Sequence, residues 1–116
     1  MKSVIMRKRK KRRYNDGIAK FYEKKDERRN VKSLDDLKYL GFLYFDEKSK
    51  RQEDIEFAEQ HGNQLTLKIS TQDDGNMDSH RNVVIGNVIY SIINIDRDKE
   101  ESELYFYLEE VRKIVE

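Results

Sequence analysis

Residues 83–95 read VVIGNVIYSIINI. Two apolar runs meet at Gly86-Asn87, and a two-residue turn of this kind between apolar runs is a strong short-range hairpin signal. Val83–Ile85 and Val88–Ile95 are therefore expected to pair as antiparallel strands, which sets the chain in the β class. Beyond the hairpin, the charged stretch 96–103 (DRDKEESE) turns the chain into Leu104–Val111 (LYFYLEEV). There, Leu104, Phe106 and Leu108 oppose Tyr105 and Tyr107, the period of a strand.

Upstream of the hairpin lies a long polar loop, 72–82 (QDDGNMDSHRN), and before it Leu65–Thr71 (LTLKIST). Leu65, Leu67 and Ile69 alternate with Thr66, Lys68 and Ser70, as in a half-buried strand. Lys38–Glu47 (KYLGFLYFDE) is apolar on both faces in its middle, so a strand covered on both sides is expected, with Gly41 marking a bulge or a close backbone approach. Ile18–Glu23 (IAKFYE) follows the Asn15-Asp16-Gly17 turn signal. The segment 23–36 is densely charged and reads as an exposed connection, with Ser33 and Asp36 starting a short helical turn. Ser49 and Gln52 fit a capping box, Glu53 and Asp54 suit a first helical turn, and Gly62 suits a helix end. A helix is predicted over about 50–61. The fold class expected is mainly β: a small β-barrel of about six antiparallel strands with one short inserted helix and a disordered basic N-terminal arm. Residues 1–13 form the arm and 14–116 one barrel domain.

The charge is divided between these two parts. The chain has 24 Lys and Arg against 23 Asp and Glu, a net of +1. Eight of the positive charges fall in residues 1–13, which hold no acid, leaving 16 against 23 and a net of −7 in the rest. Seven are consecutive: Arg7, Lys8, Arg9, Lys10, Lys11, Arg12 and Arg13. Such a run lies in water or against polyanion. An acidic body repels phosphate on average, so the arm is where nucleic acid would be touched.

Catalytic and metal chemistries find little support. Without cysteine there is no disulfide, thiolate site or thiol nucleophile. The histidines are His61, expected to cap a helix end, and His80, in the polar loop. Placing Gly75 at the invariant glycine of an EF-type calcium loop puts Arg81 where a bidentate glutamate is required, which rules that loop out. A looser carboxylate site through Asp73, Asp74 and Asp78 is outweighed by a solvated loop. Asp78, Ser79 and His80 are sequence neighbours, and adjacency does not make a triad. There is no phosphate-cradling glycine loop. Neither an enzyme nor a cofactor is expected. No apolar run approaches the ~20 residues that span a bilayer. The first residues lack a signal-peptide core. Cytoplasmic synthesis without membrane association is the expectation.

From Ser49 onward the sequence resembles the small head-closure (head-tail joining) proteins of tailed bacteriophages. The likeness rests on RQEDIEFAEQHG (51–62), with Arg51, the polar-acidic pair Glu53-Asp54, Ala58 seven positions after the arginine, and Gly62. LTLKIST, the long loop, the hairpin and LYFYLEEV complete it, and DDLKYLGFLYFDEKSKR (35–51) is similar to versions from phages of Gram-positive hosts. Glu53 stands where many relatives carry serine, and the proline often found after the glycine is absent. The resemblance implies a small barrel assembling as a ring between the portal-adaptor complex and the tail of the virion, after synthesis in the bacterial cytoplasm. It would close the DNA channel and offer a tail docking surface. Its partners would be portal or adaptor ring proteins, tail-proximal proteins and further copies of itself, with non-specific DNA contact through the arm. In that setting the loop Gln72, Asp73, Asp74, Gly75, Asn76, Met77, Asp78, Ser79, His80 and Arg81 is the candidate for reaching the lumen or a neighbouring ring. Arg51, Asp54 and Tyr44 are candidates for the subunit interface, and the edge of Lys38–Phe45 is a candidate for pairing across subunits. The competing expectation is a small single-stranded nucleic-acid-binding barrel that uses the arm and exposed Tyr105 and Tyr107.

Overall fold

A computed structural model describes residues 14–75 and 77–115. The arm Arg7–Arg13, and Asn76 of the polar loop, lie outside the described residues. Among the described residues, six strands and one helix form: β1 (Gly17–Lys24), β2 (Leu37–Lys48), α1 (Gln52–Gln60), β3 (Leu67–Gln72), β4 (Asn82–Ile85), β5 (Val88–Asp98) and β6 (Glu103–Lys113). A 3-10 turn, Leu34–Asp36, precedes β2. Every strand pairs antiparallel, in the order β1-β2-β3-β6-β5-β4, with β4 bonded back to β1.

The six strands thus close on themselves, as the small β-barrel read from the sequence requires, but the joins are unequal. The β5–β6 ribbon runs in register from Val88↔Lys113 to Asp98↔Glu103. The β1–β4 join consists of Lys20↔Val84, Phe21↔Val83 and Tyr22↔Asn82 alone. The cause is local. β4 has four residues, cut short by the Gly86-Asn87 turn on one side and the Asp78–Arg81 turn on the other. The result is a closed six-stranded antiparallel barrel in which β1–β4 is the shortest join and β5–β6 the longest.

The β4–β5 hairpin forms on the expected turn, with Ile85↔Val88 closing it. Gly86 has φ +62 and nothing within 4 Å of where a Cβ would stand. Substitution there is a pure backbone cost, since left-handed φ disfavours every L side chain. Gly86→Ala is expected to lower stability by about 1–2 kcal/mol, read from the urea unfolding midpoint.

The inner face of the sheet is the main core: Phe21, Phe45, Ile69, Val83, Leu104, Phe106 and Leu108, with Ala19 and Tyr90. Phe21 and Phe106 pack at 5.5 Å between ring centroids. Outside the sheet lie two smaller clusters. Val31 and Leu37 fold the charged connection back onto Val84 and Ile89. The Ser33 hydroxyl holds the 3-10 turn in place by accepting from Asp35 N–H at 3.2 Å, while the Asp36 carboxylate accepts from the Lys32 and Ser33 N–H groups. This carboxyl is held below its usual value chiefly by the Lys32 N–H, against the opposing effect of desolvation. On the other side, Ala58 of α1 packs with Leu65 and Tyr107.

Helix α1 starts later than expected. Arg51, not Ser49, is the N-cap, and the Asp54 carboxylate, not Gln52, reaches back to the cap N–H at 3.0 Å. Its end follows the expected signal. Gly62 has φ +77, its N–H reaches Glu59 O at 3.1 Å, and Asn63 N–H reaches Ala58 O at 2.8 Å, a Schellman pair.

Candidate interaction surfaces

Strand β2 was expected to be covered on both faces, and it is not. Its inward residues are Leu43 and Phe45, whereas Tyr39, Phe42 and Tyr44 project into solvent, 50%, 47% and 57% exposed. Across the β1–β2 ladder, Ile18 lies opposite Tyr44, Lys20 opposite Phe42 and Tyr22 opposite Tyr39. The Phe42 and Tyr44 rings meet edge-on at 5.5 Å, and Tyr22 and Tyr39 at 5.3 Å. A bulge at Leu40, the extra residue between Tyr39 and Gly41, keeps the aromatic side chains on one face; Gly41 has φ +153 there. The result is a continuous aromatic and aliphatic stripe in a chain that is 41% charged. Large exposed apolar patches rimmed by polar residues mark contact surfaces. Tyr44, one of the interface candidates, is exposed on this stripe. The expected pairing edge at Lys38–Phe45 is corrected, however, because β2 is bonded to β1 over most of this stretch and to β3 at Phe45.

The other two interface candidates bond to each other, Asp54 from a buried position and Arg51 from an exposed one. Asp54 accepts from Arg51 Nε at 3.2 Å and Nη2 at 3.1 Å, and from Lys68 Nζ at 3.0 Å. The Asp54 and Lys68 side chains are 6% and 8% exposed. Lys68 Nζ also lies 5.1 Å from the Tyr107 ring centroid and 5.8 Å from that of Tyr105. Burial pushes the Asp54 carboxyl up, but hydrogen bonds from the Arg51 side chain and backbone, and from Lys68, outweigh it and hold the group at about 2, below its ordinary 3.8. The same pairing drives the Arg51 guanidinium further up. Asp54 is therefore committed within the subunit, and only the partly exposed Arg51 reaches solvent.

A depressed folded-state value stabilises the fold above the unfolded value and ceases to do so as pH falls through the folded one. The interval from 3.8 to about 2 corresponds to about 2 kcal/mol. The stability of the wild-type protein should fall relative to that of Asp54→Asn as pH drops from about 5 to about 2, measured by urea unfolding at each pH.

Tyr107, expected exposed, is 7% exposed beneath α1. Its hydroxyl donates to Asp96 Oδ2 at 2.8 Å, and burial first, then that bond, pushes its ionisation up. Tyr105 is half-buried and donates to Glu103 Oε1 at 2.7 Å; Tyr14 donates to Glu103 Oε2 at 3.0 Å. The two tyrosines proposed for base stacking thus pack on the protein itself. Three exposed aromatic side chains lie instead on β2, where continuous hydrophobicity concealed which face would be left open.

Among the described residues, the polar loop is tied to the body at Asp73 and Met77. Asp73 accepts from Arg97 Nε at 2.7 Å and from Gly75 N–H at 2.8 Å, and both hold its carboxyl below the usual range, Arg97 most. Met77 packs against the core, and Arg81 Nη1 approaches its Sδ at 3.7 Å. Asp78 accepts from His80 N–H, which depresses it. Two carboxylates of the loose metal reading are thus engaged with Arg97 and His80. Among the described residues, no group of three His, Cys, Asp or Glu is placed to hold a metal. His61 Nδ1 sits 2.8 Å from Phe57 O at the helix end, where the ring stacks on Phe57. Among the described residues, no helix is long and apolar enough to cross a membrane.

No family model matches the chain, and no curated protein matches it.

Proposed function

We propose that the chain is a structural connector subunit of a tailed phage. It would assemble as a ring below the portal or adaptor, close the DNA-filled head and present a docking surface to the tail. The observation that carries this reading is the exposed stripe of Tyr39, Phe42 and Tyr44 on β2, a surface suited to permanent protein contact. The residue resemblance over 35–111 and the acidic body are consistent with it, since acidic walls beside a channel do not grip passing DNA. The run Arg7–Arg13 would dock on an acidic neighbouring ring or on DNA phosphate. In the second case affinity would fall steeply with salt, since each neutralised phosphate releases counterions.

Electron microscopy of particles from cells lacking only this protein tests the reading. Free tails beside untailed heads that have lost their DNA are the expected result. Infectious, normally tailed particles would overturn it. Of the two tyrosines named in the single-stranded nucleic-acid reading, Tyr107 lies under α1.

A further inference from the structure

A second apolar area is exposed to solvent. Phe57 on α1 is 44% exposed, and beside it a groove of about 240 Å³ runs between α1 and β5, walled by Ala58, Ile93, Glu53 and Asp96. Ile93 lines it because of a bulge. Register passes from Ile92↔Leu108 to Asn94↔Tyr107, which leaves Ile93 as the extra residue. Ile92 and Ile95 pack inward on the main core, while Ile93 packs outward with Ala58 and Tyr107. The volume suits an aromatic ring, since an engineered cavity of about 150 Å³ accommodates benzene.

The stripe and the groove lie on opposite sides of the molecule. Around the strand order, β2 and β5 are three strands apart in both directions. Their charges also differ. Lys20 sits within the stripe opposite Phe42, whereas Glu53 and Asp96 stand at the groove. The third acid there, Asp54, is already paired with Arg51 and Lys68, while Glu53 is 74% exposed with its carboxylate 3.9 Å from Arg51. One self-complementary patch gives a closed two-fold pair. Two different patches on opposite sides give head-to-tail contacts that close into a ring or run on as a filament.

We infer that the occupant of the groove is a second copy of this chain. The β2 stripe of one copy seats against the α1–β5 groove of the next, with an aromatic ring from Phe42 or Tyr44 beside Phe57 and Ile93, and Lys20 facing Glu53 and Asp96. This deepens the connector reading by naming the two faces of the subunit contact.

The absence of native cysteine makes the test direct. Tyr44→Cys marks the stripe and Phe57→Cys the groove, both at exposed positions. With a short bis-maleimide cross-linker, the purified double variant is expected to give a ladder of dimer, trimer and longer species. A mixture of the two single variants should stop at the dimer, and each single variant alone should stay uncoupled. Adding Phe42→Asp to the double variant should reduce the ladder ~10-fold or more, as loss of a central interface anchor does. Circular dichroism matching the wild type confirms each fold; a variant that fails it is replaced by Tyr39→Cys or Glu53→Cys. Self-coupling of Tyr44→Cys alone would show a two-fold stripe contact and overturn the inference, as would a double variant without a ladder. The deletion phenotype separates the two claims. Empty untailed heads without a ladder would keep the connector and remove this contact, and a ladder from a dispensable protein would do the reverse.

Discussion

Replacing Asp54 with alanine is expected to destabilise the protein by about 3–5 kcal/mol, read from the denaturant unfolding midpoint. The carboxylate is the counter-charge of Lys68, whose ammonium is almost fully enclosed at 3.0 Å, so its removal strands a buried cation. The same carboxylate accepts the Arg51 N–H at the start of α1, and that cap is lost with it. Asp54→Asn should be less severe, since an amide oxygen can still accept from Lys68 and from the cap. The pair itself need not be a large net stabiliser, because desolvating two charges offsets much of their attraction. Changing Lys68 to methionine in the Asp54→Ala background should therefore recover much of the loss. An equal deficit in the double variant would locate the effect in the cap and not in the stranded charge.

Phe106→Ala is expected to cost a similar ~3–5 kcal/mol, through a cavity and not through charge. Phe106 is fully buried, lies at the centre of β6 between β3 and β5, and packs its ring on Phe21 from the other side of the curl. Those neighbours are held by two ladders and cannot collapse onto the vacated space. The two variants should differ with acid. Near pH 2 the deficit of Asp54→Ala relative to wild type narrows as the wild-type carboxyl titrates, while that of Phe106→Ala persists, each followed by urea unfolding.

Much of the strand content was legible because alternation and turn chemistry are local properties. Val83–Ile95 carries its own turn, and Leu104, Phe106 and Leu108 advertise one buried face. Other features depended on contacts that the sequence does not specify locally. Ser49 and Gln52 satisfy a capping pattern, yet the helix begins at Gln52, where Asp54 meets both the Arg51 backbone and a lysine fourteen residues away. Tyr105 and Tyr107 alternate like a solvent face, but Tyr107 is covered by α1 and Tyr105 is half-buried beside it, which only the tertiary fold brings about. For β2 the error ran the other way, because apolar residues on both faces signal burial without saying whether the cover comes from the same chain. The open stripe with Tyr44 is the residue of that ambiguity. Arg51 and Asp54 were each named as interface candidates; that they bond to each other, with Asp54 buried and Arg51 exposed, is visible only in the folded chain.

The short β1–β4 seam also gives the molecule a direction of weakness. A sheet curled on itself under equal joins would resist opening everywhere, but this one is fastened by three residue pairs at one place and by a full-length ribbon at another. Strain applied to the wall would fall on the short joins β1–β4, β4–β5 and β2–β3, with the β5–β6 ribbon acting as the spine. The connection 25–36, laid across the β1–β4 junction through Val31, Leu34 and Leu37 against Val84, then works as a clasp.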